Sequence, residues 1–246
     1  MSRSPVPARR RAPRTAARDR RVTPRELVRT LGTTLVLAGA LVLADVAATL
    51  WWQEPVTAVV GHLRQRGLAE RLPAPPAGTE RLAVAELADD RARIAFLARR
   101  QRQTLRSGEP AARLRIPRLG LDQVVVQGVE RRSLERGPGL YPSQPLPGAP
   151  GTAAIAGHRT TYGAPFRHLD RMRPGDPITV ELAYGRVRYR VTTVRSVAPD
   201  AVWVLDRRRE DRLVLTACDP PFSAARRLVV SARLESAVLA PPSWAS

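Results

Sequence analysis

From residue 111 to residue 234 the chain is a series of short apolar runs broken by Pro and Gly, and that texture admits few folds. Leu114 and Ile116 alternate with arginines until Pro117 stops the run. Val124-Val125-Val126 follows a turn at Gly120, and a third run over 151–155 ends at Ala156-Gly157-His158. Ile178, Val180 and Leu182 alternate. After a turn at Ala183-Tyr184-Gly185, Val187, Tyr189 and Val191 alternate with Arg186, Arg188 and Arg190. Successive strand side chains face opposite ways, so a period of two marks a strand with one buried and one wet face. Runs over 201–205, 213–217 and 228–234 complete the set. Many short strands with turn signals every ten residues or so predict a mainly β domain, an antiparallel sandwich or barrel. Short helical pieces are expected at 130–135 and 164–169.

The chain before this domain divides in three. Residues 1–29 are rich in Arg, Pro and Ala, have no apolar period, and read as a disordered basic tail. A nearly unbroken apolar run over 31–52 follows, ending at Trp51-Trp52. About 20 apolar residues cross the hydrocarbon of a bilayer. Arginines before the run and tryptophans after it predict a single anchor over 30–53, with the N-terminus cytoplasmic and the rest outside. A cleaved signal peptide is the rival, but the run is long for one and no small-x-small site precedes the tryptophans. Asp45 in the outer part of the run costs less there than at mid-membrane; a partner-binding role for it stays open. Residues 54–110 read as an extracytoplasmic stalk. It has a Pro-rich hinge over 73–78 and a helix over about 80–105, on which Leu87, Ile94 and Leu97 share a face. A mostly disordered spacer is the alternative. Residues 237–246 read as a tail after a domain over 111–236.

The formal charge is +19, and all 41 basic residues are arginine. Residues 1–29 hold ten arginines against Asp19 and Glu26. The tail's charge is explained by membrane topology, so no nucleic-acid partner is expected.

Cys218 is the only cysteine, so neither a disulfide nor a CxxC redox pair is available. With one cysteine and scattered histidines no zinc site is expected either, and no metal or other cofactor is predicted. Cys218 closes one apolar run, Leu213-Val214-Leu215-Thr216-Ala217-Cys218. A Pro-Pro turn follows, and Arg226-Arg227 opens the next run. A hairpin of these strands brings a thiol near a guanidinium, and a nearby cation favours the reactive thiolate. A lone cysteine is also a common inert core residue. Of the three histidines, His62 lies in the stalk and His168 in a polar segment. His158 ends a strand beside Gly157, where it can project into a cleft. Thiol, imidazole and guanidinium supply a nucleophile, a proton carrier and an oxyanion stabiliser, the parts of acyl transfer through a thioester.

These motifs resemble the sortases, membrane-anchored cysteine transpeptidases of Gram-positive bacteria. The resemblance is carried by Leu215-Thr216-Ala217-Cys218 with Arg227-Leu228-Val229-Val230, and by Ala156-Gly157-His158-Arg159-Thr160-Thr161-Tyr162-Gly163-Ala164-Pro165-Phe166. Arg115-Ile116-Pro117-Arg118-Leu119-Gly120 and Gly137-Pro138-Gly139-Leu140-Tyr141-Pro142 support it, and the actinobacterial class E is the most similar branch. The resemblance covers about residues 111–235. It implies an eight-stranded β-barrel with short helices and the site at one rim. It implies that Cys218 attacks the carbonyl after the threonine of a Leu-Ala-x-Thr-Gly or Leu-Pro-x-Thr-Gly sorting signal on a secreted protein. His158 would carry the proton and Arg227 would hold the oxyanion. Thr216, Ala217, Thr161 and Tyr162 would contact substrate. A lipid-linked peptidoglycan precursor would supply the accepting amine. One departure is visible: the class usually has Thr-Thr-Cys-His-Pro where this chain has Thr216-Ala217-Cys218-Asp219-Pro220. A carboxylate beside the thiol disfavours the thiolate unless an arginine neutralises it.

Three alternatives remain. A pilin-polymerising sortase usually carries a lid segment and a second C-terminal span, which residues 236–246 do not offer. An L,D-transpeptidase resembles a His-Gly…Ser-x-Gly-Cys arrangement, which Thr216-Ala217-Cys218-Asp219 does not match. A membrane-anchored β-domain that binds wall or partner protein without catalysis would not need the thiol.

Overall fold

The computed structural model describes residues 24–51, 55–76 and 78–244, of which 46–51, 55–59 and 79–81 are described in their backbone only. It divides into two units, residues 1–52 and 53–246. Among the described residues the first is one helix, α1 (Pro24–Trp51). Leu27, Leu31, Leu35, Val36, Leu41 and Leu43 are all exposed on it, so no side of the helix is a polar face matched to water. Among the described residues it is the one helix long and apolar enough to cross a membrane, over Pro24–Asp45. It begins inside the stretch expected as tail. The rest of that tail, and Trp52, lie outside the described residues.

The second unit is an eight-stranded closed barrel preceded by three helices. The strands are β1 (Pro110–Ile116), β2 (Leu121–Gln127), β3 (Gly139–Leu140), β4 (Thr152–Ala156), β5 (Pro177–Leu182), β6 (Gly185–Val197), β7 (Arg212–Asp219) and β8 (Arg226–Leu239). Around the barrel they run β1-β2-β3-β4-β7-β8-β6-β5. All neighbours are antiparallel except β2 with β3 and β4 with β7. Closure leaves no open sheet edge. Inside sit Leu114, Ile116, Ile155, Ile178, Val180, Leu182, Leu213, Leu215 and Val230, each wholly buried. Burying each such side chain is worth about 1.5–3 kcal/mol.

The two-residue period assigns the faces. On β7, Leu213, Leu215 and Ala217 belong to the barrel interior, and on β8 so do Leu228, Val230 and Ala232. Val214 and Val229 point outward and join Ala154, Val197 and Val204 in a second apolar cluster. Val204 lies in a 3₁₀ turn, Val202–Leu205, at the place where the sequence suggests a strand. That segment crosses the outside of the sheet as a cover over Val214 and Val229 instead of joining the ladder. The helical piece expected over 130–135 is a short helix, Arg131–Leu134. At 164–169 the chain turns without forming one, and a 3₁₀ turn begins only at Leu169.

The segment expected as a stalk packs on the barrel. Its helices are α2 (Pro55–Ala69), α3 (Gly78–Ala85) and α4 (Asp90–Thr104). Two helices replace the single one expected over 80–105, because Asp89 starts a new one by accepting from the backbone N–H of Ala92. On α4, Ile94, Leu97 and Ala98 recur at helical spacing and are buried in the barrel's core cluster. Asp90 accepts from the Leu239 N–H at the end of β8. Gly185 makes this fit possible: a Cβ there would lie 2.8 Å from Ile94 and 2.7 Å from the Val238 carbonyl. Helix α2 is fastened to β2, where the Gln65 amide accepts from Val124 N–H at 2.7 Å and donates to the Val124 and Arg136 carbonyls. Leu68 and Leu72 close over Val124 and Val126.

Candidate active site

Cys218 stands one residue before the end of β7, and its cross-strand partner on β8 is Arg227. Both fall on the outward face, in step with Thr216 and Val214 on β7 and with Val229 on β8. Directly opposed side chains on an antiparallel pair stand about 4.5–5.5 Å apart at Cβ, so the two side chains leave the sheet as neighbours. The thiol is half-buried and free. Arg227 Nη1 donates to the Ala224 and Arg226 carbonyls, both at 3.1 Å. This fixes the guanidinium and leaves Nε and Nη2 without a partner among the described residues. Arg226, one residue earlier, opposes Asp219 and turns away, donating to Ser196 Oγ and the Ser196 carbonyl.

His158 arrives from the next strand. β4 runs parallel to β7 in the register Ala156↔Thr216, and Gly157 N–H donates to the Thr216 carbonyl at 3.0 Å. His158 and Cys218 therefore each lie two residues beyond a matched pair, at the same level of adjacent parallel strands. Gly157 lets the chain pass there, because a Cβ would lie 2.5 Å from the wholly buried Phe166 ring. The His158 ring packs on Tyr162, with centroids 5.1 Å apart, and its Nε2 is buried with no partner among the described residues. Burial holds its pKa below the ordinary histidine value, while Glu135 pulls it back up. The ring is thus a neutral base at neutral pH, with one nitrogen unoccupied.

The other sequence-predicted residues divide. Thr216 lies on the cysteine's face and shares a hydrogen bond of 3.0 Å with the Tyr141 hydroxyl. Tyr162 adjoins the histidine, and Thr161 is exposed beside it. Ala217 points into the barrel core, away from the face that carries Cys218. His62 and His168 are exposed and belong to other segments. Two residues were not singled out by sequence reasoning. Tyr141 lies within a quoted motif, Gly137-Pro138-Gly139-Leu140-Tyr141-Pro142, but nothing local indicates that it meets Thr216. Arg159 follows the histidine and is only 6% exposed. It forms ion pairs with Asp219, the residue after the cysteine, and with Asp170. Asp219 also accepts from Ser196 Oγ, and this bond first, then Arg159, holds its carboxyl below the usual range. The carboxylate beside the thiol is therefore neutralised within the protein. A cavity of about 830 Å³ walled by Thr152, Leu205 and Arg207 lies at the other end of β4 and plays no part in this arrangement.

A single thiol, a neutral imidazole and a fixed guanidinium on one rim suit nucleophilic acyl transfer. The sequence matches the sortase domain over residues 114–235. It is 29% identical over 219 residues to Sortase SrtE1 of Streptomyces coelicolor, covering 82% of this chain and 55% of that one. The structure superposes on sortase E of Streptomyces avermitilis with a TM-score of 0.51 and 31% identity, covering 57% of this chain and 99% of that one. The chain belongs to the sortase family. Sortase D of Bacillus subtilis is also similar, 29% identical over 115 residues, covering 46% of this chain and 57% of its own. The chain thus spans little more than half the length of these two curated relatives, 55% and 57%. The eight-stranded barrel is the sortase fold, and class E sortases are among its relatives.

Proposed function

We propose that this sortase-family chain is a membrane-anchored cysteine transpeptidase acting on a Leu-Ala-x-Thr-Gly or Leu-Pro-x-Thr-Gly sorting signal. The observation that carries the reading is the Cys218↔Arg227 cross-strand pair, with His158 level with the cysteine on the adjacent parallel strand. As the Cys218 sulfur bonds to the threonine carbonyl carbon, its proton passes to His158. Arg227 donates to the oxygen on which negative charge gathers. Collapse breaks the Thr–Gly amide, and the imidazolium gives its proton to the departing glycine amine. A thioester on Cys218 remains. The amine of a peptidoglycan precursor then attacks it, its proton travels through His158 back to sulfur, and the new amide is released. No redox or metal step is needed for atoms and charge to balance. Thr216, Tyr141 and Tyr162 border this path and would shape the pocket.

α1 would be the anchor. Ten arginines within residues 1–29 favour a cytoplasmic N-terminus and a catalytic domain outside the membrane. The substrates would be secreted proteins bearing the signal, and the lipid-linked precursor the acceptor. The test is turnover of Leu-Ala-x-Thr-Gly and Leu-Pro-x-Thr-Gly peptides with a glycine-amine acceptor, followed by chromatography. Joined product with the wild type and none with Cys218→Ala is the expected result. No product with either peptide would leave a non-catalytic wall-binding domain as the better reading.

A further inference from the structure

Several arginines on and around the barrel meet a carboxylate, as Arg91, Arg113, Arg115, Arg118, Arg186 and Arg190 do. One group does not. Five guanidinium groups, from Arg195, Arg208, Arg209, Arg212 and Arg233, line a hollow of about 450 Å³ on the outside of β6, β7 and β8. Glu210 is the one acidic residue of its lining. None of the five forms an ion pair among the described residues, although ion pairs are plentiful elsewhere on the same barrel.

The strand register makes this crowding unfavourable by itself. Arg212 on β7 and Arg233 on β8 are direct cross-strand partners. Like charges opposed in this way destabilise a sheet. Arg212 is half-buried, and its bonds go to neutral oxygens: the Thr152 hydroxyl and the Val204 and Asp206 carbonyls. Burial first, then Arg208 and Arg195, hold its pKa below the usual guanidinium value. Two of the five, Arg212 and Arg195, are nonetheless held in place. Arg195 lies over the Trp203 ring at 5.0 Å, and a bulge in β6 between Val191 and Thr193 turns Thr192 so that its hydroxyl donates to the Ser231 carbonyl. Thr192, Thr193 and Ser231 add hydroxyls to the same lining. Five arginines against the single carboxylate of Glu210, around a concave space, form a site with an excess of positive charge that suits an anion.

We propose that this hollow binds a phosphate-bearing anion. Guanidinium forks match phosphate oxygens two at a time, and several forks around one space can engage a phosphate group from more than one side. Pyrophosphate-type groups and phosphodiester headgroups share this chemistry. The site lies six residues along β7 from Cys218, roughly 20 Å at strand rise. It is therefore separate from the thiol, although both lie on the outward face of the same two strands. The proposal does not depend on the reaction assigned to Cys218.

The test is calorimetric titration of the full chain in neutral detergent with inorganic pyrophosphate and, separately, with glycerophosphoglycerol. A variant carrying Arg208→Glu and Arg233→Glu is compared with one carrying Arg132→Glu and Arg188→Glu, which changes the net charge equally at exposed positions away from the hollow. Arg208→Gln with Arg233→Gln serves if the reversed pair fails to fold. The wild type should bind at least one of the two ligands, less tightly as salt is raised. The hollow variant should lose about tenfold or more in affinity, while the distant variant keeps most of it. Binding of both ligands, or of glycerophosphoglycerol alone, would assign a phosphodiester headgroup, and binding of pyrophosphate alone a soluble polyphosphate. No binding to the wild type at millimolar ligand, or an equal loss in both variants, would overturn the proposal.

Discussion

Arg159 and Asp219, the residues that follow His158 and Cys218 in the sequence, form an ion pair across the rim of the barrel. The pair ties the ends of β4 and β7, the two strands that carry the imidazole and the thiol. Ser196 and Arg226 extend the network to β6 and to β8, where Arg227 follows one residue later. Removing Arg159 leaves the part-exposed Asp219 carboxylate without its guanidinium partner, a cost of about 1–3 kcal/mol. Arg159→Ala should lower the free energy of unfolding by about that much. Asp219→Asn should cost less, since it keeps the hydrogen-bonding shape. Denaturant titration of both variants checks this. Equal stability of Arg159→Ala and wild type would mean that the pair contributes nothing.

Arg227 faces the thiol and Arg226 does not. Arg227→Ala should reduce kcat/KM for peptide by ~10²–10³, the usual loss of an oxyanion donor. Arg227→Lys should rescue little, because an ammonium lacks the planar fork. Arg226→Ala should keep most of the rate, since its bonds end on Ser196. Steady-state kinetics of the three variants decide, and an inactive Arg226→Ala beside a normal Arg227→Ala would contradict the register.

Much of this was legible in the sequence, for physical reasons. The alternation over 178–191 announces β5 and β6, since one face is wet. The step from Arg226 to Arg227 already implies opposite faces, and the β7–β8 register fixes which one meets Cys218. What could not be read is pairing over long distances. β4 and β7 lie side by side and parallel although some 60 residues separate them, and no local signal encodes that adjacency. The Tyr141–Thr216 bond and the Arg159–Asp219 pair depend on it in the same way. Residues 201–205 look like a strand because they are apolar. They are apolar because they cover Val214 and Val229.

The buried His158 should leave a signature in stability against pH. Its pKa in the folded protein is below the value in the unfolded chain. The unfolded chain therefore takes up the proton first as pH falls, and stability drops as pH is lowered from about 6.5 toward the folded value. His158→Gln removes this contribution. The fall in Tm between neutral and mildly acidic buffer should be smaller in His158→Gln than in wild type. The same variant should lose ~10²–10⁴ in rate if His158 is the proton carrier. His62→Ala and His168→Ala, both at exposed positions, should turn over peptide near the wild-type rate.

Gly157 precedes the histidine under the wholly buried Phe166 ring. In Gly157→Ala the new methyl meets ring atoms at 2.5–2.9 Å, and the ring has no free space to yield. The strand end must shift and carry His158 with it. Overpacking of this kind costs about 1–3 kcal/mol, and a misplacement near 1 Å costs on the order of 10²-fold in rate. Thermal unfolding and peptide turnover of this variant measure the two effects separately. Wild-type activity in Gly157→Ala would show that the position of His158 does not depend on this contact.

The central claim is that Cys218 forms a thioester with the acyl part of a sorting signal. Intact-mass spectrometry of the full chain, quenched in acid during turnover of a Leu-Ala-x-Thr-Gly or Leu-Pro-x-Thr-Gly peptide without acceptor amine, measures this directly. The account predicts a species heavier by the peptide fragment ending in threonine. It should map to Cys218, be released by hydroxylamine, and be missing in Cys218→Ala. Cleavage between Thr and Gly by Cys218→Ala at the wild-type rate, with no adduct in either protein, would contradict it.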